Sequence, residues 1–316
     1  MSVDLRYVRF EDVFGVPLDL NLVHIIYEVQ TDEPLLFLPN LYDSLRRFEN
    51  YFKAISSTQS KVPRSNSREE VEHSPHRSVF GQILSTDPDV VRRHQKPPLP
   101  FAFKIKELSH IASCIELSIV IAGSAIQHVS IFRRAIKLML VSVAENSGVD
   151  VAVSGVWSLD YQGGRHAISS DSSMLVILSA LEILQSPRHS DSVKILIESP
   201  LRLLNSGIIA HSFDFGLLLR SQLRRCSSLF AYYGDGELDM DYRLLAAAAD
   251  RVTTLANSFN FRKPEWSQWG TQTGIVGRGE FGDVAEGILP LLTLGSCFNA
   301  GKGAGYGMGA YLVEVL

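Results

Sequence analysis

Glycine takes every second position in Gly301-Lys302-Gly303-Ala304-Gly305-Tyr306-Gly307-Met308-Gly309, and the strand-like run Ala310-Tyr311-Leu312-Val313-Glu314-Val315 follows directly. Side chains alternate between faces along a strand, so this spacing predicts a backbone face with no side chains. Such a face has two uses. It lets a helix or strand approach closely, or it offers N–H groups to a phosphate chain, because no Cβ limits the approach. Lys302 and Tyr306, inside the run, would add a charge and a stacking ring. No Gly-Lys-Ser/Thr follows, which excludes a Walker loop, and no strand–helix–strand unit follows, which excludes a dinucleotide fingerprint.

With 316 residues, 46% of them hydrophobic, the chain is long enough for two domains with cores of their own. Its formal net charge is −4, so any nucleic-acid contact must use a local basic patch and not a global field. Cys114, Cys226 and Cys297 are isolated and odd in number, which argues against a disulfide framework or a zinc cluster. No apolar run is long enough to span a bilayer, and Met1-Ser2-Val3-Asp4-Leu5-Arg6 has no apolar signal core, so the expected location is cytoplasmic.

Strand patterns cover Leu22–Val29, Phe101–Ile105, Cys114–Ile121, Asp150–Leu159, Ser192–Ser199 and Gly274–Phe281. Apolar spacing of 4-3-4-3 at Leu41, Leu45, Phe48, Phe52 and Ile55 predicts one helix. Further helices are expected with Val129, Phe132, Ile136, Met139 and Val143 inward, with Leu219, Leu223, Cys226 and Phe230 inward, over Tyr242–Phe259, and from Ile288. Residues 56–78 are polar and predict a long loop. Lys96-Pro97-Pro98-Leu99-Pro100 predicts a domain boundary, since consecutive prolines continue neither helix nor central strand. The resulting order is that of an α+β protein with domains at 1–96 and 97–316.

Four stretches resemble the RAMP superfamily of CRISPR repeat-processing endoribonucleases. These are Pro97-Pro98-Leu99-Pro100-Phe101; Glu198-Ser199-Pro200-Leu201-Arg202-Leu203; Trp266-Ser267-Gln268-Trp269-Gly270 with Gly274-Ile275-Val276-Gly277; and Leu291-Leu292-Thr293-Leu294-Gly295 running into the glycine repeat. The resemblance covers the chain from about residue 97 onward. It implies two tandem ferredoxin-like (RRM-like) domains closed by a glycine-rich loop. It also implies cleavage of precursor crRNA within its repeats with no metal and no cofactor, by 2′-hydroxyl attack that leaves a 2′,3′-cyclic phosphate. The implied partners are CRISPR repeat RNA and other Cas subunits, with no membrane.

That chemistry needs a base at the 2′-hydroxyl, a donor on the phosphoryl oxygens and an acid for the leaving oxygen. Histidine suits both proton transfers. The family often carries its histidine in or just after the first helix, yet Leu41–Ile55 has none, so the candidates are His24, His73 and His76. Tyr42 and Tyr51 are further donors, and Arg46 or Arg47 would serve an arginine-based mechanism. The expected RNA-binding residues are Arg220, Arg224 and Arg225, the densest basic group, with Gly301, Lys302, Gly303, Gly305, Tyr306, Gly307 and Gly309. His211, just before a helix, is expected to cap it. The rival expectation is a non-catalytic RNA-binding subunit of the same fold.

Overall fold

A computed structural model describes residues 19–59, 79–84, 97–107, 113–169, 174–186, 190–238, 240–262 and 273–316. Strand β1 (Asn21–Thr31) leads into helices α1 (Pro34–Arg46), α2 (Phe48–Gln59) and α3 (Val79–Leu84). Strands β2 (Phe101–Glu107) and β3 (Cys114–Ala122) follow, then α4 (Val129–Ser147) and β4 (Val151–Leu159). Short pieces β5 (Arg165–Ala167), β6 (Leu178–Ser179) and α5 (Ala180–Gln185) end this half. The other half holds β7 (Val193–Leu201), the hairpin β8 (Leu204–Asn205) and β9 (Ile208–Ile209), and helices α6 (Phe215–Tyr233) and α7 (Tyr242–Ala249). It closes with β10 (Thr253–Asn257), β11 (Asn260–Arg262), β12 (Gly274–Gly282), α8 (Ile288–Phe298) and β13 (Tyr311–Val315).

Two antiparallel sheets result. The first has the order β2-β3-β1-β4-β5, with β6 also on β1; the second has β10-β12-β7-β13, with β11 on β12. In β1, Val23, Ile25, Tyr27 and Val29 pack beneath α1, α2 and α4 with Leu41, Leu45, Phe48, Phe52, Phe132 and Met139. The opposite face begins with Leu22, which joins Val120 and Ala122 in the other core, against Leu219, Phe230 and Leu291 of α6 and α8. The first sheet is thus buried on both faces at this end, which explains why β1 and β3 read as nearly continuous apolar runs.

The domain boundary needs correction. β1 pairs with β3 from Leu22↔Ala122 to Gln30↔Cys114, so strands on both sides of residues 96 and 97 belong to one sheet. The division between sheets falls between α5 and β7. The prolines instead lead into β2, an edge strand, where a missing N–H removes no central ladder bond. The Tyr233 hydroxyl of α6 donates to the Pro98 carbonyl at 2.9 Å, which places this segment on the seam between the halves.

Three local expectations also change. The helix read across Leu41–Ile55 is two, interrupted at Arg47, and the second runs on to Gln59 into the expected loop. The helix read over Tyr242–Phe259 stops at Ala249, because Thr253 and Thr254 open strand β10. The rest of the expected loop, with His73 and His76, lies outside the described residues.

Candidate nucleic-acid interface

The glycine run is not a strand. Gly301, Gly303, Gly307 and Gly309 have φ of 74, 84, 88 and 65°, the left-handed region that glycine enters without a Cβ penalty. A 3-10 turn, Ala304–Tyr306, sits between them. Close approach decides the inner half of the loop. A Cβ on Gly309 would lie 2.0 Å from the Ala300 carbonyl oxygen, and one on Gly301 would lie 2.5 Å from that of Arg202. Gly305 packs on Leu99 and the Phe101 carbonyl, and Gly307 faces Leu45, Tyr42 and the Phe103 carbonyl. Gly305, Gly307 and Gly309 are buried, so they are not open to a phosphate; Lys302 is exposed at the tip, between half-buried Gly301 and Gly303.

Side chains that the sequence reading passed over hold this loop. The Asn299 amide donates to the Phe103 carbonyl at 2.8 Å and to the Ala304 carbonyl at 2.9 Å, while Gln222 donates to the Asn299 carbonyl at 2.9 Å. The Ser199 hydroxyl donates to the Gly307 carbonyl and accepts from the Ala310 amide, both at 2.8 Å. The Lys302 amide donates to the Arg202 carbonyl at 2.9 Å, and the Gly301 amide to the Ser221 hydroxyl at 3.1 Å. The Tyr306 hydroxyl donates to the Glu49 carboxylate of α2 in a short contact. Burial, then that carboxylate, pushes the phenol well above its ordinary range. Tyr306 therefore acts as a tie between the halves and offers no free stacking ring. Nothing in the sequence singles out Asn299, whose backbone has φ 60° and ψ 177°.

The arginine group comes apart. Arg225 turns inward and donates to the Phe101 carbonyl at 3.3 Å, and burial lowers its pKa to about 10. Arg220 lies 3.3 Å from Asp250 and 3.9 Å from Asp214. Arg224 is exposed, with no acidic partner among the described residues. Expecting all three to meet RNA together overlooked the width of the buried stripe on α6.

His24 is poorly suited to proton transfer. Its Nε2 is sealed from water without a hydrogen-bond partner among the described residues. Burial, and secondarily the Lys104 charge, pulls its pKa down to about 3. A ring with that pKa is neutral and weakly basic near neutrality, far from the match that proton transfer prefers. His211 does not cap α6; Asp214 does, accepting from the Leu217 amide at 2.6 Å. Tyr51 donates to Ser142 at 3.2 Å, and Arg47 pairs with Asp43. Arg46 is exposed at the end of α1, and Lys302 is exposed at the tip of the clasped loop.

Residues 195–311 match the family model of the CRISPR-associated endoribonuclease Cas6. Over this stretch the chain is similar to the Cas6 endoribonucleases. That match runs from β7 through the whole glycine loop to Tyr311, so it contains both partners of the Ser199 clasp. Among solved structures, the chain is similar to Thermus thermophilus Cas6 at 12% identity, covering 95% of this chain and 100% of that one, with a TM-score of 0.50. A variant of a second Cas6 matches at 14% identity over 93% of this chain and 99% of that one, TM-score 0.50. The product complex of that second Cas6 matches at 13% identity over the same shares, TM-score 0.49. At these identities the likeness is one of fold: two tandem ferredoxin-like domains of the Cas6 type. No curated protein matches the chain in sequence. Among the described residues, no helix is long and apolar enough to cross a membrane.

Proposed function

We propose that the protein cleaves precursor crRNA within its repeats and stays bound to the product in a complex with other Cas subunits. The Cas6 match ending on the clasped glycine loop carries this reading. In the proposed step, which needs no metal, the 2′-oxygen bonds to the adjacent phosphorus while its proton passes to a base. The bond from phosphorus to the 5′-oxygen breaks, and an acid protonates that oxygen, leaving a 2′,3′-cyclic phosphate and a 5′-hydroxyl. Arg46 and Lys302 are assigned to the phosphoryl oxygens, where fixed positive charge favours the developing anion. With His24 neutral and dry, proton transfer is assigned to His73 or His76. Arg224 is assigned to the RNA backbone.

A second reading, a non-catalytic crRNA-binding subunit, is favoured by one observation: α1 and α2 contain no histidine. Incubation with repeat RNA in EDTA separates the two. A discrete product ending in a cyclic phosphate supports the enzyme. Tight binding with intact RNA refutes cleavage and leaves the subunit.

A further inference from the structure

Beside the glycine loop lies a row of rings that the cleavage reading does not use. His211, Phe213 and Phe215, at every second position on the entry to α6, each meet another ring. Their partners come from β11 and β12 and the turn before β11. Phe215 meets Phe281 at 5.1 Å; Phe213 stacks on Phe259 at 4.0 Å and 13°; His211 stacks on Phe261 at 4.3 Å and 17°. The row climbs from buried Phe215 through half-buried Phe213 to exposed His211. The inner rungs are core packing. The outermost differs, because His211 is exposed and yet lies flat on Phe261.

The row's position relates it to the loop tip. Hairpin β8–β9 turns at Ser206-Gly207, and the Ala210 amide donates to the Leu203 carbonyl at 2.9 Å. Arg202 and His211 therefore flank the base of this hairpin, and the Arg202 carbonyl is the group that holds the Lys302 amide. An exposed ring stacked on a second ring, near a cation able to meet a phosphate, is the combination that binds single-stranded nucleic acid: bases stack and the backbone is neutralised.

We infer that the outer face of His211, backed by Phe261, is a stacking site for one unpaired nucleobase of the bound RNA, with Lys302 facing an adjoining phosphate. This rests on the RNA-binding reading but not on cleavage. An oligouridylate carrying a single 2-aminopurine tests it, since stacking on an aromatic ring quenches that base. The parent protein should quench the probe on binding. His211→Ala should abolish the quench and weaken binding about tenfold, with an unchanged melting temperature because the residue is exposed; His211→Tyr should restore both. Equal affinity and quench for parent and His211→Ala would overturn the inference. So would a parent that binds the probe without quenching it, or does not bind it. Repeat-RNA cleavage measured on the same samples keeps the two proposals apart, because a parent that quenches the probe but leaves repeat RNA uncut loses only the nuclease reading.

Discussion

Replacing His24 with leucine should change how the protein responds to acid. In the unfolded chain an imidazole titrates near ~6.5, whereas in the fold burial and Lys104 hold His24 neutral down to about 3. Between these values the unfolded state binds a proton that the folded state refuses, so stability is intact above ~6.5 and falls as the pH drops toward the folded pKa. The slope approaches about 1.4 kcal/mol per pH unit below the unfolded pKa, which amounts to roughly 2.3 kcal/mol between pH 6.5 and 4.5. Leucine suits the neighbours in the strand, where Leu22 and Ile26 flank the position and Val120 lies opposite. Urea unfolding of parent and variant should be followed across that range, and the difference between them plotted against pH. Carboxylate titrations common to both cancel, leaving a line that drops toward acid for the parent. Parallel curves would mean that His24 is hydrated, and a parent that gains on the variant in acid would mean that it has found an anionic partner. Either result refutes the argument. At neutral pH the same variant should retain RNA cleavage within a few-fold of the parent.

Arg224→Ala should weaken RNA binding and lower its salt dependence without moving the melting temperature, whereas Arg225→Ala should lower the melting temperature, since it removes the donor to Phe101; binding across a salt series and thermal melts check both. Gly309→Ala should cost about 2 kcal/mol or more, because its φ is left-handed and the new Cβ meets a backbone carbonyl. Calorimetry should show melting lowered by roughly 3 °C, and an unchanged melt would mean that the loop has room to shift.

The parts that were legible in the sequence are those that depend on near neighbours. The spacing of Phe132, Ile136, Met139 and Val143 names the buried stripe of α4, and β1, β3, β7 and β12 follow from their apolar runs. The errors share a cause: each needed knowledge of what lies across space. Pro97 and Pro98 look like a boundary because the pairing of β1 with β3, on opposite sides of them, leaves no local trace. The glycine repeat has a strand's period, but its period was incidental; what required glycine was left-handed backbone and the carbonyls of Arg202 and Ala300. Arg225 shares a basic cluster with Arg224 in sequence, yet it meets the Phe101 carbonyl of the other half. The clasped loop was legible through its glycines, while Asn299, Ser199 and Gln222, which hold it, are residue types too common to stand out.

The Asn299 clasp also fixes the mechanics of the molecule. Its side chain reaches Phe103 in the first sheet and Ala304 in the loop, and its carbonyl is held by Gln222 of α6. Spreading the halves would break the Asn299–Phe103 bond and leave its groups unsatisfied in a dry seam, at about 1–3 kcal/mol for each, before the Tyr306–Glu49 contact is broken. A hinge is therefore a costly way to admit a ligand here. The two halves should move as one rigid body, and RNA should meet a surface already in its bound shape. The entropy lost on binding then falls on the flexible strand of the nucleic acid and not on the protein.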